Sequence, residues 1–337
     1  MTSSAYRSRV FRSTRHFRPV LLLVVVMFVA FSITLPNFFD GANLVNLLTS
    51  VAVLGIVSMG MTLVTIVGGF DLSVGAVASL SAIGLVKLLA AGVPGWLAVV
   101  LCVVGGLALG GITNGALVGR LHLSLFVVTL ATMTAFTGFV NIWSNTQTTN
   151  ITDPFVTWLG IGSPLGIPTP IWIMVIVFGI TLYVQNRTLF GRDIYAIGGS
   201  ITAARLSGIR TTRTVIFVYA IVAGTAALGG IIAAGRVGAA SPQVDATLPL
   251  QAAAAVLLGG TALTGGSGGV GGTALGVIFI GVLQNGLSIA GLQSFWQQVA
   301  TGVILIAAVF GNQVFVGSAR SRTVEKPTTP LAQKEVV

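Results

Sequence analysis

The chain has 337 residues, of which 54% are hydrophobic and only 7% charged, against about a quarter charged in soluble domains. A mean hydropathy of +0.98 with 44 glycines excludes a water-soluble fold of this size and fits helices packed closely in lipid. The net charge of +10 sits at the ends of apolar runs with no interleaved aromatics, so it points to membrane topology rather than to nucleic acid.

The N-terminal arginines Arg7, Arg9, Arg12, Arg15 and Arg18 precede a first apolar run at 20–35. This resembles the start of a signal peptide, but the run is long and no small-residue cleavage site precedes Pro36, so the pattern predicts a retained first helix. A hydrocarbon core about 30 Å thick needs about 20 apolar residues. Cutting the apolar runs at charges, prolines and glycine or asparagine clusters then predicts further spans at 47–67, 72–91, 96–118, 125–143, 171–184, 215–234, 250–263, 270–290 and 295–310. The fold class is therefore all-α: a polytopic integral membrane protein of about ten transmembrane helices. Cys102, the single cysteine, lies inside one of these runs; it reads as a packing residue and excludes intrachain disulfides and thiolate metal sites.

With the amino terminus in the cytoplasm, ten spans place fifteen of the seventeen basic residues on that side, leaving only Lys87 and Arg236 outside. Nine or eleven would spoil this asymmetry, so both termini are expected to be cytoplasmic. The predicted organisation is a basic tail at 1–18, a transmembrane domain at 19–312 with a cytoplasmic loop at 186–213, and a tail at 313–337. Five spans lie on each side of 144–169, which admits a 5+5 inverted repeat, although internal similarity is faint.

Between the second and third spans, Gly68-Gly69-Phe70-Asp71-Leu72-Ser73 leaves almost no polar linker. Asp71 reads either as a cap on the third helix or as a functional pivot at a broken helix. In the loop at 186–213, Gly198-Gly199 precede Ser200 as an N-cap, followed by a short helix carrying Ile201, Ala204 and Leu206 that Gly208 ends. Such a helix is marginal alone and is expected to dock, either on lipid headgroups or on a protein. The paired glycines from Gly259 to Gly272 invite a phosphate-loop reading, but no Gly-Lys pair exists in the chain, so close helix packing explains them better. Polar residues in the spans, among them Asn114, Thr129, Thr132, Thr134, Gln251, Thr261, Gln284, Asn285, Gln297 and Gln298, are amides and hydroxyls that suit a neutral polar solute. His16 and His122 lie near basic residues at the cytoplasmic face, and no histidine-carboxylate cluster offers a metal site or proton relay.

Together, Gly68-Gly69-Phe70-Asp71-Leu72-Ser73-Val74-Gly75, Phe126-Val127-Val128-Thr129-Leu130-Ala131-Thr132-Met133, Tyr195-Ala196-Ile197-Gly198-Gly199 through Gly208-Ile209, and Leu258-Gly259-Gly260-Thr261 resemble the permease subunits of bacterial ATP-binding-cassette sugar importers. These are the ribose, xylose, galactose and autoinducer group of the branched-chain amino acid permease superfamily. The family usually has isoleucine at Phe70 and glycine at Ala131. The resemblance implies a permease in the bacterial inner membrane that moves a monosaccharide by alternating access and is not itself an enzyme. It also implies a coupling helix within Gly191, Tyr195, Gly198, Gly199, Ser200, Ala203, Ala204, Arg205, Gly208 and Ile209, docked on a separate ATPase subunit. That ATPase would bind the ATP and Mg, with no cofactor in this chain. Other implied partners are a second permease chain, identical or not, and a periplasmic sugar-binding protein, for which Asp40, Asp153, Asp245, Lys87 and Arg236 are available. Gly68, Gly69, Asp71, Ser73, Thr129, Thr132, Thr261, Gln284 and Asn285 are candidate hinge or pathway residues. The alternative is an ion-coupled secondary transporter or channel, which would need midplane charges where this chain offers at most Asp71.

Overall fold

A computed structural model describes residues 20–243 and 245–324; the expectations for residues 1–19, including His16 and the five N-terminal arginines, and for residues 325–337 lie outside it. The described chain is helical apart from one pair of two-residue strands. Six helices are long and apolar enough to cross a membrane and four more are apolar but shorter. The helices are α1 (Val20–Thr34), α2 (Gly41–Ile66), α3 (Val74–Ala90), α4 (Gly95–Gly119), α5 (Leu125–Ser144), α6 (Pro154–Ile161) and α7 (Thr169–Arg187). They continue with α8 (Leu189–Gly199), α9 (Ile201–Leu206), α10 (Thr211–Val237), α11 (Leu248–Leu258), α12 (Val270–Ile289) and α13 (Ser294–Val324).

Every span read from the sequence has its helix, and the differences lie at the ends. Asp40 starts α2 earlier than expected by accepting from the Ala42 amide at 3.1 Å. Conversely, α11 stops at Leu258 because Gly259 and Gly260, the latter at φ +81°, turn the chain. The last helix runs on to Val324, through the part of the tail predicted to begin at 313. Two helices were not foreseen. Asp153 caps α6, with Pro154 at its first position, and Thr188 caps α8 by accepting from the Gly191 amide at 3.0 Å.

The centre of the bundle is α2 against α10, with α3, α4, α11 and α12 around them. Contacts occur in matched sets five spans apart. Helix α4 packs on α10 as α12 does on α2, α3 on α10 as α11 does on α2, and α3 on α5 as α11 does on α13. That is the pattern of a five-helix unit used twice, and an odd number of spans turns the second copy over. Corresponding helices α4 and α12 carry the similar hexapeptides Gly105-Gly106-Leu107-Ala108-Leu109-Gly110 and Gly271-Gly272-Thr273-Ala274-Leu275-Gly276. Between the halves, the strand β1 (Thr149–Asn150) pairs antiparallel with β2 (Ala239–Ala240), tying the 144–169 segment to the end of α10.

Helices in lipid gain no hydrophobic drive from packing on each other, so close backbone approach matters more. At Gly230 a Cβ would collide with the Ala78 backbone, whereas at Gly179 it would meet nothing within 4 Å. Replacing Gly230 by valine is expected to destabilise the bundle by about 1–3 kcal/mol or more, while Gly179→Ala leaves it intact. Melting of the detergent-solubilised proteins checks this, and equal melting of the two variants would contradict the packing.

Candidate functional site

The helical path breaks between α2 and α3. Gly68 takes φ +90°, and Gly69 lies where a Cβ would press on Val64 and the Tyr219 hydroxyl. Asp71 is fully buried. Its Oδ1 accepts from the Ser73 amide at 2.8 Å and the Ser73 hydroxyl at 2.6 Å, which closes the turn that starts α3. Across from it, α4 passes through a π-helical turn, Gly111–Gly115, a distortion common at functional sites. This turn brings in Asn114, whose Nδ2 approaches both Asp71 oxygens at 3.2 Å and the Ser73 hydroxyl at 2.9 Å. Beside this cluster the Asn114 Oδ1 and the Tyr219 hydroxyl are buried without a hydrogen-bond partner among the described residues.

The same turn recurs before α11. Asp245 Oδ1 accepts from the Thr247 amide at 2.8 Å and the Thr247 hydroxyl at 2.6 Å, and from the Leu248 amide at 3.3 Å. Here the aspartate is exposed, and it borders a cavity of about 500 Å³ shared with Leu72, Gly75, Met133, Thr137, Asn141, Pro242, Gln243, Ala246 and Pro249. Helix α11 has 11 residues, about 17 Å of a hydrocarbon core about 30 Å thick. A helix of this length does not reach across the core by itself.

A second surface is built from α8 and α9. Tyr195 donates to the Gly268 carbonyl at 2.6 Å, and burial pushes its phenol up to about 12, which keeps it a donor. Gly198 lies so close to the Ile66 carbonyl and the Gly266 amide that a side chain would collide with both. Gly266 in turn donates to the Ile66 carbonyl at 2.8 Å, and Gln185 Oε1 accepts from the Val270 amide at 2.7 Å. Ser200 caps α9 through the Ala203 amide at 3.3 Å. Gly208, at φ +80°, ends it with bonds from its own amide to Arg205 and from Ile209 to Ala204. Ala204 is buried and Arg205 reaches His122 and Thr211, while Leu206 is 86% exposed.

Residues 43–309 match the family described as branched-chain amino acid transport system / permease component. The chain belongs to this permease family. The ribose import permease protein RbsC of Escherichia coli K12 is 38% identical over 294 residues, 86% of this chain and 91% of that protein. RbsC of Bacillus subtilis 168 is 40% identical over 295 residues, 87% and 90% of the two chains. The L-arabinose ABC transporter permease protein AraH of Azospirillum brasilense is 32% identical over 297 residues, 87% and 86%. No solved structure gives a significant match.

Within this permease the residues singled out from sequence fall into separate places. Gly68, Gly69, Asp71 and Ser73 form the first break. Thr129 and Thr132 turn their hydroxyls back on carbonyls of their own helix, of Leu125 and Val128. Thr261 Oγ1 accepts from the Gly269 amide at 3.2 Å. Asn285 exchanges hydrogen bonds with Asn43, and its neighbour Gln284 is half-buried in α12. Residues Gly191 to Ile209 lie together on the α8–α9 surface. Thr137, Asn141, Gln243 and Asp245 were not singled out as pathway residues. Two signals could have found them: the spacing of four along α5 from Met133 through Thr137 to Asn141, and the repetition of Asp71-x-Ser73 as Asp245-x-Thr247.

Removing the Asn114 amide leaves a buried carboxylate short of a donor. Asn114→Leu is expected to cost about 2–3 kcal/mol, Asp71→Asn less because a capping oxygen remains. The double replacement Asp71→Ala/Asn114→Leu should cost clearly less than the sum of its parts. A thermal double-mutant cycle checks this, and strict additivity would mean that the two residues do not act together.

Proposed function

We propose that this chain is the membrane-spanning subunit of an ATP-binding-cassette importer that moves a monosaccharide, of pentose or hexose type, across the bacterial inner membrane by alternating access. The reading rests on relatives named for ribose and arabinose transport and on the tethered α8–α9 surface. In this reading ATP and Mg are bound by a separate ATPase, whose closure pushes on α9. The exposed Leu206 and Ile201 beside a buried Ala204 supply an apolar contact of the kind that anchors a protein interface.

The push then passes through contacts already described. Through Gly198 and Tyr195, α8 meets the end of α2 and the segment leading to α12, one helix from each half. A rigid-body shift of one half against the other follows from displacing that shared corner. On the opposite, outer face the binding protein would deliver the sugar, with Asp40, Asp153, Lys87 and Arg236 at hand. A second permease chain completes the complex, as symmetric assembly commonly requires. Both termini face the cytoplasm in this arrangement, in accord with the positive-inside charge pattern. An ion-coupled mechanism is less well supported, because a relative 32% identical over 297 residues is named as an ABC transporter permease.

Placing a charge on the exposed apolar contact gives the test. Leu206→Glu should lower sugar-stimulated ATP hydrolysis by the reconstituted complex about tenfold or more, the burial energy of one leucine, with insertion and melting unchanged. Gly208→Leu forces a side chain into a left-handed position and should act in the same direction. Undiminished uptake in both variants would refute the docking assignment.

A further inference from the structure

The two aspartate turns form an internal control for what a cap requires. Asp71 and Asp245 each stand three residues before a helix. Each uses Oδ1 for the amide and the hydroxyl of the residue two positions on, at matching distances of 2.8 Å and 2.6 Å. One oxygen is therefore enough to make the turn, and asparagine would cap as well. At Asp71 the second oxygen is taken by Asn114 and the carboxyl is buried. At Asp245 the second oxygen accepts no hydrogen bond among the described residues, and the carboxyl borders the cavity. Among the described residues no lysine or arginine lines that cavity.

We propose that this cavity binds a neutral polyhydroxylated ligand, with the Asp245 carboxylate accepting from its hydroxyls and Asn141 and Gln243 completing the polar wall, while Thr137, whose hydroxyl donates to the Met133 carbonyl at 2.7 Å, offers an acceptor only. The assignment rests on the sugar-permease reading above and deepens it by naming the contacts. A carboxylate beside an apolar wall, here Leu72, Met133 and Pro249, is costly unless its oxygens find donors. Hydroxyl donors satisfy its free oxygen without the ion pair that a charged solute would form. The volume of about 500 Å³ falls in the range of small-molecule sites. Asn141 already donates to the Thr137 carbonyl at 2.9 Å, which holds its amide in place and leaves its oxygen as an acceptor. Among the described residues no aromatic ring lines the cavity, so the contacts offered to the ligand are polar groups and aliphatic side chains. Such a site holds a solute long enough to orient it and releases it readily, as conduction requires.

The test places a reporter thiol in the cavity. Cys102→Ala/Met133→Cys permease is reconstituted with its ATPase and binding protein, and alkylation of the new thiol by a maleimide is timed with ribose, arabinose or sodium chloride in excess. Ribose or arabinose is expected to slow alkylation and sodium chloride to leave it unchanged. Adding Asp245→Asn, which preserves the cap and hence the melting behaviour, should raise the sugar concentration for half-protection about tenfold, the loss of one charge-assisted hydrogen bond. Protection by sodium chloride alone, protection unaffected by Asp245→Asn, or no protection by a sugar that the vesicles import would each overturn the site. Uptake is measured in the same vesicles without substitutions. Absent uptake with sugar protection intact would remove the import reading and leave the binding site standing.

Discussion

A backbone that leaves its helix within a membrane must find partners for its amides and carbonyls inside the protein, since lipid offers none. The break between α2 and α3 meets that demand by a particular route. Asp71 takes the amide and hydroxyl of Ser73, the residue before α3, and Asn114 from the π-turn of α4 ties the carboxylate to a further helix. Charge burial of this kind is stabilising only while every partner stays in place. The positions of α3 and α4 against α10 therefore depend on it, and so does the wall of the cavity that α3 contributes through Leu72 and Gly75.

The second half solves the same problem with the same turn and a different surrounding. Asp245 repeats the geometry of Asp71, yet with Gly105 matched to Gly271 the place of Asn114 in α4 falls on Ile280 in α12, which has no amide to offer. One break is thus sealed and the other is open to a cavity. An inverted pair in which one copy is closed and its twin is open is the asymmetry that alternating access needs. It arises here from an asparagine present in one copy only, while the turn itself is unchanged.

Much of this was legible in the sequence, and what was not has a common cause. Apolar runs predict every span, because hydrophobic length is a property of the segment alone. Ser200 and Gly208 were readable as the ends of α9 because caps are local. Thr129 and Thr132 illustrate the limit. A hydroxyl in an apolar run can serve a pathway or bond back to its own helix, and only the fold decides between them. Asp245 was read as an outer-surface charge available for docking, and its place beside Thr137 and Asn141 of α5 on one cavity shows only in the fold.

The glycine-rich loop before α12 also explains how a push at the surface reaches the interior. Between Gly265 and Val270 the loop contributes backbone groups to each tie: the Gly266 amide to the Ile66 carbonyl, backbone to backbone, and the Gly268 carbonyl and Val270 amide to the side chains of Tyr195 and Gln185. Contacts between backbones leave little slack, because no rotamer change can absorb a displacement. Helix α8 is held against the end of α2 by Gly198 and against this loop by Tyr195. A movement of α9 is therefore passed to α2 and α12 together rather than lost in side-chain rearrangement. Those two helices meet again deeper in the bundle, where Thr62 and Thr273 share a hydrogen bond at 2.7 Å, so a paired motion would extend from this corner into the core.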